Sequence, residues 1–136
     1  MQGDQPTKSA TKRILIVEDN ELNMKLLHDV LEVHGYAIVA TREGGTVLTL
    51  AREMRPDLIL MDLQLPDISG LDAVRQLKDD EETWGIPVVA VTAFAMVGDR
   101  DKALVAGCDG YVAKPIHLQD FLAVVKSFIG EGDGVG

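Results

Sequence analysis

The sequence has little of several features that mark other classes of protein. One cysteine among 136 residues, Cys108, excludes an internal disulfide and a cysteine zinc site, and we expect it to fill a small space in the core. The 13 lysines and arginines form no basic cluster and are outnumbered by 22 acidic residues, for a net charge of −9, so no direct nucleic-acid partner is expected. No apolar run approaches the roughly 20 residues of a membrane-spanning helix, so no membrane insertion is expected. The polar N-terminus MQGDQPTKSATKR lacks the apolar stretch of a secretory signal, which predicts a cytoplasmic location.

The chain has the length of one domain, because 136 residues suffice for a core that buries roughly two-thirds of the unfolded surface. The polar start and the glycine-rich end, GEGDGVG, are typical of flexible termini. We therefore expect a flexible arm over residues 1–11, a folded domain over residues 12–130 and a flexible tail over residues 131–136.

Short apolar runs alternate with longer amphipathic segments. Strands are predicted at residues 13–17, 37–40, 58–61, 88–92 and 111–113. The first helix ends at Gly35 and is predicted from the three- and four-residue spacing of Leu22, Leu26, Val30 and Val33. Further helices are predicted at about residues 45–54, 69–78, 97–106 and 118–129, with Asn20 and Ser69 as N-caps of the first and third. This alternation predicts an α/β fold, a doubly wound parallel sheet of five strands with helices on both faces.

Acidic residues stand at the ends of two strongly apolar strands. The run LILM is followed by Asp62, and the run ILIV is followed by Glu18 and Asp19. A carboxylate is costly to remove from water, so core packing does not explain these positions. In an open parallel sheet, binding sites form at the carboxyl ends of strands, beside the point at which the strand order reverses. We therefore expect the three acids to share one solvated crevice.

Three acidic side chains in one crevice repel each other unless a positive charge is present. Oxygen ligands suit a hard cation, and Mg²⁺ commonly binds one or two carboxylates together with water and phosphate oxygens. The backbone carbonyl of Gln64, just beyond Asp62, is a further candidate ligand. The sequence therefore predicts a Mg²⁺ site formed by Glu18, Asp19, Asp62 and Gln64.

Two other strand ends add a hydroxyl and an ammonium group. The fourth strand ends in Thr92, whose hydroxyl can hydrogen-bond a phosphoryl oxygen, and the fifth is followed by Lys114, a compact positive charge. The chain has neither a GxxxxGK[ST] loop nor a GxGxxG turn after the first strand, so nucleotide binding is not indicated. These strand ends predict a phosphoryl-transfer site that binds no nucleotide.

In this order and at this spacing, the residues resemble those of response-regulator receiver domains of two-component signalling. The matching residues are Glu18, Asp19, Asp62, Thr92, Lys114 and Pro115, and the stretches DLQLPDISG, from Asp62, and TAFA, from Thr92, match as well. The resemblance covers about residues 12–130 and implies a flavodoxin-like receiver fold with a cis Lys-Pro bond. The stretch VEDNELNMKLLHDVLE and the lack of an output domain are most similar to stand-alone regulators of bacterial cell division and differentiation.

The resemblance implies a signalling phosphoacceptor, not an enzyme, that assists its own Mg²⁺-dependent phosphorylation and dephosphorylation. Asp62 would accept the phosphoryl group from a phosphohistidine of a sensor histidine kinase or phosphotransfer protein. Asp19, Asp62 and the Gln64 carbonyl would bind Mg²⁺ directly, and Glu18 would act through a water molecule. Lys114 would pair with the phosphoryl group.

The resemblance also implies a conformational switch formed by Thr92 and Tyr111. When Thr92 moves to bind the phosphoryl group, Tyr111 would turn inward and reshape the face made by the fourth helix, the fifth strand and the fifth helix. A downstream protein partner would read that face, and the protein would be a monomer or a weak dimer. We further hypothesise that the bulk of Phe94 and Gln64 hinders water and slows loss of the phosphoryl group.

Two other functions remain open from the sequence. A phosphohydrolase with Asp62 as covalent nucleophile, as in the haloacid-dehalogenase group, would need a second acid two residues later, where this chain has Gln64. A binding module that is never phosphorylated would be indicated by loss of Asp62, Asp19 or Lys114, and all three are present.

Overall fold

A computed structural model of the protein describes residues 11–65, 67, 69–93 and 99–130. In these ranges five strands alternate with five helices, and a 3₁₀ turn, Gly44–Thr46, precedes the second helix. The elements are β1 (Arg13–Val17), α1 (Glu21–Val33), β2 (Ala37–Thr41), α2 (Val47–Met54), β3 (Leu58–Met61), α3 (Gly70–Asp79), β4 (Val88–Thr92), α4 (Asp99–Ala106), β5 (Gly110–Ala113) and α5 (Leu118–Ile129). They confirm the predicted order with small differences at the ends. Residues 1–10 of the predicted arm and the predicted tail, residues 131–136, lie outside the described residues, so the limits of both remain predictions.

The strands form one parallel sheet in the order β2-β1-β3-β4-β5. The strand order reverses between β1 and β3, which pair in a register that places Val17 beside Met61. At the other side of the sheet, Thr92 of β4 pairs with Ala113 of β5. The carboxyl ends of β1, β3, β4 and β5 therefore meet at one edge, as the doubly wound arrangement predicts.

Alternate residues of the central strands face two separate hydrophobic cores. One face of the sheet packs against α2, α3 and α4 through side chains such as Leu15 and Ile59, and Cys108 is buried in this core as expected. The other face packs against α1 and α5 through side chains such as Ile14 and Leu60. Burial on both faces explains why these strands read as continuous apolar runs. Among the described residues, no helix has the length and apolar character needed to cross a membrane.

The helix ends follow the predicted capping residues, with one difference at α2. Asn20 caps α1 by accepting the Asn23 N–H at 2.9 Å, and Ser69 caps α3 by accepting the Leu71 N–H at 3.1 Å. The second helix is predicted from residue 45, but α-helical structure begins only at Val47, after the 3₁₀ turn. Two consecutive glycines open this segment, and glycine is a poor residue for a helix interior.

Helix α1 exposes most of the side chains whose spacing predicts it. Leu22 and Val33 are 79% and 75% exposed, whereas Leu27 and Leu31 are buried against α5 and the sheet. The spacing correctly indicates a helix, but it does not identify the buried face. A helix with apolar residues around much of its circumference offers more than one stripe, and tertiary packing chooses between them.

Candidate functional site

Two acidic side chains are buried at the edge where β1 and β3 end. Glu18 follows β1 and is 1% exposed, and Asp62 follows β3 and is 5% exposed. The Asp62 N–H donates to the Val17 carbonyl at 2.9 Å, which continues the strand pairing up to the acid itself. The sheet register therefore brings together two acids that are far apart in the sequence.

Lys114 reaches this pair of acids from the end of β5. Its Nζ lies 2.8 Å from Glu18 Oε1 and 3.2 Å from Asp62 Oδ2. Its backbone N–H donates to the Thr92 carbonyl at 2.9 Å, and the Lys114–Pro115 peptide bond is cis. One ammonium group thus neutralises part of the charge of two buried carboxylates.

Both oxygens of the Asp62 carboxylate have partners. Oδ1 accepts the Gln64 N–H at 2.9 Å, and Oδ2 accepts from Lys114 at 3.2 Å. The loop after β3 therefore fixes the orientation of the acid that precedes it, while Lys114 supplies the charge. A carboxylate held in this way is oriented before any ligand arrives.

The ionisation of Glu18 and Lys114 reflects their burial and their proximity. Burial and the close approach of the Asp62 carboxylate raise the pKa of Glu18 to about 7, although Lys114 and the Asn20 N–H act in the opposite direction. Burial alone would lower the pKa of Lys114, but the close contact with Glu18 and the charge of Asp62 outweigh it and raise that pKa. The ammonium group of Lys114 therefore stays charged at neutral pH, whereas the carboxyl group of Glu18 titrates near neutral pH.

One oxygen of Glu18 makes a close ion pair but no hydrogen bond. Oε2 accepts the Asn20 N–H at 3.2 Å, whereas the buried Oε1 has no partner that meets hydrogen-bond geometry among the described residues, despite the nearby ammonium. An under-satisfied carboxylate oxygen in a set of oxygen donors suits a hard cation such as Mg²⁺. The residues present therefore fit the predicted ion in chemical type.

The third predicted acid, Asp19, forms an ion pair with Arg42, which follows β2. Its Oδ1 lies 3.7 Å from a guanidinium nitrogen of Arg42, which also contacts Glu21 at 3.2 Å. Within the described ranges, no three His, Cys, Asp or Glu side chains form a group that could hold a metal ion. The three acids were expected to share one crevice. In the structure, Glu18 and Asp62 contact Lys114, whereas Asp19 contacts Arg42.

The predicted switch residues lie on neighbouring strands. Thr92 is fully buried at the end of β4. Tyr111, on β5, pairs in register with Ala90 and packs, partly buried, against the core that contains α4. Phe94, one of the two residues named for phosphoryl lifetime, lies outside the described residues.

Sequence reasoning missed Arg42 and Asp67. Arg42 follows β2, the one strand whose carboxyl end was given no candidate residue, so the rule that locates sites at strand ends could have found it. Asp67 binds the Gly44 and Gly45 N–H groups at 2.9 and 2.8 Å. Nothing in the sequence alone links residues 44 and 67, because this contact joins two separate loops.

The sequence matches the response regulator receiver domain family over residues 14–126. This chain is a receiver domain of that family. It is 54% identical to the polar-differentiation response regulator DivK of Brucella ovis over 121 residues, which are 89% of this chain and 98% of that protein. The similarity to stand-alone regulators inferred from the sequence is thereby confirmed.

Solved receiver structures share the fold. The receiver domain of the sensor histidine kinase PA1611 from Pseudomonas aeruginosa, which has a magnesium ion coordinated in its active site cleft, matches with a TM-score of 0.82 and 35% identity, over 89% of this chain and 99% of that one. The chemotaxis protein CheY4 of Vibrio cholerae matches with a TM-score of 0.82 and 20% identity, over 88% of this chain and 99% of that one. These matches confirm the receiver fold. The family match and the 54% identity to DivK identify the chain as a response regulator, which is a signalling protein.

Proposed function

We propose that this receiver domain accepts a phosphoryl group on Asp62 from a sensor histidine kinase or a phosphotransfer protein. The observation that carries the proposal is the placement of Lys114 Nζ 3.2 Å from Asp62 Oδ2 and 2.8 Å from Glu18 Oε1. A carboxylate that is 5% exposed still has a face toward the strand-end edge, where a donor can approach. Charge and orientation are thus arranged around one acceptor.

In the transfer, a carboxylate oxygen of Asp62 forms a bond to phosphorus while the bond between phosphorus and the donor's imidazole nitrogen breaks. The electron pair of that bond stays on the imidazole. Lys114 is placed to leave the Asp62 carboxylate for a phosphoryl oxygen as negative charge accumulates there. Catalysis of this kind consists mainly of positioning and charge stabilisation.

The residues that would hold Mg²⁺ are Asp62, Asp19 and the carbonyl of Gln64, with Glu18 acting indirectly. When bound, the ion would offset the charges of the acceptor and of the phosphoryl oxygens. Asp19 would exchange its contact with Arg42 for the ion. The magnesium ion in the cleft of the related PA1611 receiver domain supports this assignment.

Thr92 and Tyr111 would transmit phosphorylation to the face formed by α4, β5 and α5. A cavity of about 260 Å³ lies on this face, lined by Tyr111, Val112, Ala113, His117, Asp120 and Val124. Leu104 and Val105 of α4 are also exposed. Space next to Tyr111 and exposed apolar side chains support a ring movement that a downstream protein reads.

Exposed apolar side chains also favour a protein donor over the small substrate of a phosphohydrolase. Leu22 and Leu26 are exposed on α1, which begins two residues after Asp19. A protein that approaches Asp62 would cover part of this surface, whereas a small substrate would leave it in water. The missing second acid at Gln64 also argues against the phosphohydrolase.

The biological role that fits best is control of bacterial cell division and differentiation. The name of the relatives, polar-differentiation response regulator DivK, supports the role in differentiation. The domain would act as a phosphoacceptor that assists its own phosphorylation and dephosphorylation, not as an enzyme with an external substrate. A cytoplasmic location and a monomeric or weakly dimeric state remain predictions from the sequence.

The test is incubation with acetyl phosphate and Mg²⁺, followed by intact mass measurement of the wild type and of Asp62→Asn. We expect an adduct of about 80 Da, one phosphoryl group, on the wild type only. Asp72→Asn is the matched control, because Asp72 pairs with Arg75 on the exposed surface of α3. An adduct on Asp62→Asn, or none on the wild type, would overturn the proposal.

A further inference from the structure

Asp67 joins two loops at the edge of the sheet that carries the site. Its carboxylate accepts the Gly44 N–H at 2.9 Å through Oδ1 and the Gly45 N–H at 2.8 Å through Oδ2. These donors belong to the 3₁₀ turn Gly44–Thr46, which opens the α2 segment. Backbone N–H groups at the start of a helix lack intrahelical acceptors, so a carboxylate there satisfies two donors at once.

The close contact depends on the absence of a side chain at Gly45. A Cβ atom at this position would lie 3.1 Å from Asp67 Oδ2, which is tighter than ordinary van der Waals contact. Gly45 has no unusual backbone conformation that would require glycine. The glycine is therefore explained by the approach of the Asp67 carboxylate.

Asp67 lies in the loop from Asp62 to Ser69, which we call the β3–α3 loop. The start of this loop orients the acceptor, because the Gln64 N–H donates to Asp62 Oδ1 at 2.9 Å. Gly70, which follows the loop, packs tightly against its start, since a Cβ atom there would lie 2.5 Å from the Asp62 carbonyl oxygen. Asp67 lies between Gln64 and Gly70 in the sequence.

The turn that Asp67 binds is itself fixed to the rest of the site. Thr41 Oγ1 and Thr46 Oγ1 lie 2.8 Å apart across the turn. The Thr41 carbonyl accepts the Glu18 N–H at 3.1 Å, which ties the end of β2 to the buried acid that follows β1. Through Asp67, the loop that carries Asp62 is thus connected to a turn that is bonded to Thr41, and Thr41 is also bonded to Glu18.

We propose that Asp67 is a positioning residue: its bonds to the Gly44 and Gly45 N–H groups hold the β3–α3 loop in the conformation in which Gln64 orients Asp62. The same contact places the Gln64 carbonyl for Mg²⁺. This inference rests on the proposed role of Asp62 as the phosphoryl acceptor.

The primary test measures amide hydrogen exchange by NMR in the full-length, metal-free protein. Asp67→Ala removes both acceptors, and we expect the amides of Gly44, Gly45 and Gln64 to exchange about three- to tenfold faster, the equivalent of one hydrogen bond. Asp67→Asn retains one acceptor oxygen and should give an intermediate change. Asp72→Ala removes an exposed acid of α3 that contacts Arg75 and should change none of these amides.

The amide of Gln64 separates positioning from a merely structural contact. If only Gly44 and Gly45 exchange faster, or if no amide changes, the proposal is wrong.

Gly45→Ala disturbs the same contact by adding a methyl group next to the Asp67 carboxylate, and it should also accelerate exchange at Gln64. The double variant Gly45→Ala/Asp67→Ala should show no further acceleration, because both changes break one contact. Additive effects would contradict the proposal.

Magnesium binding gives a second, independent measurement. By titration calorimetry, Asp67→Ala should bind Mg²⁺ about 10- to 100-fold more weakly, because residues that orient a metal ligand affect affinity on this scale. An unchanged affinity would overturn the inference for Gln64. The two proposals fail in different ways: a wild type that gains no phosphoryl group overturns the role of Asp62, whereas the exchange of Gln64 reports on Asp67 regardless.

Discussion

Lys114 and Asp62, 52 positions apart in the sequence, form an ion pair in which Nζ and Oδ2 are 3.2 Å apart. The pair bridges the end of one strand, β4, since Asp62 follows β3, Lys114 follows β5 and β4 lies between them. A lysine must therefore extend across one strand to meet the acceptor acid. This contact places the positive charge of Lys114 next to the two buried acids of the site, Asp62 and Glu18.

Replacing Lys114 with alanine should slow phosphorylation of Asp62 strongly. The change removes the one ammonium group next to Glu18 and Asp62 in the described structure, so charge on the phosphoryl group would no longer be stabilised. We expect the rate with acetyl phosphate at saturating Mg²⁺ to fall by about 100-fold. Lys126→Ala, on the exposed surface of α5, is the control, and a normal rate in Lys114→Ala would refute the assignment.

Glu18 should make the metal-free protein less stable as the pH rises from about 4.5 to about 7. Its folded-state pKa lies above the unfolded value, so the folded state binds the proton more tightly in this window. The resulting stability is fully present below the unfolded pKa and is lost as the pH passes through the folded pKa. The loss amounts to at most about 3 kcal/mol.

The measurement is urea unfolding in EDTA across this pH range for the wild type and Glu18→Gln. The glutamine variant should lack the decrease that the wild type shows. Glu21→Gln changes a carboxylate that is 81% exposed and should behave like the wild type. Parallel curves for the wild type and Glu18→Gln would show that Glu18 has an ordinary pKa.

A methyl group at Gly70 should destabilise the protein, although alanine is the better helix residue. A Cβ atom there would lie 2.5 Å from the Asp62 carbonyl oxygen and from the Leu63 Cα, both of which belong to the backbone. We expect Gly70→Ala to reduce the free energy of unfolding by about 1–3 kcal/mol. Gly85→Ala, where no atom lies within 4 Å of the added Cβ, should change it little. Equal stabilities of the two variants in urea would contradict the packing at Gly70.

Cys108 should resist alkylation in the folded protein. Burial, followed by the negative charge of Asp109, raises the pKa of this thiol to about 11, and the side chain is only 6% exposed. Only the thiolate reacts with iodoacetamide, so modification at pH 8 should be slow and should become rapid in urea. Mass spectrometry over time measures both rates. Rapid modification without denaturant would show that the α4–β5 region opens readily.

The sequence predicts the central strands β1, β3 and β4 well, because burial on both faces of a parallel sheet leaves a continuous apolar run. It also locates Asp62, Thr92 and Lys114 at strand ends, since strands joined by helices must be parallel and their carboxyl ends must share an edge. The face of α1 that is buried is not predictable in this way. Leu22 and Leu27 are equally apolar, and only the way in which α1 packs on the sheet and near α5 decides that Leu27 is buried.

The sequence by itself determined the parallel α/β architecture, the family and the chemical groups at the strand ends. Only the tertiary structure decided that Lys114 contacts Glu18 and Asp62, that Asp19 contacts Arg42 and that Asp67 binds the turn at Gly44. The physical reason is the separation along the chain of the residues that interact. Periodicity reports forces between neighbours along the chain, whereas these contacts join loops whose separation is set by the sheet beneath them.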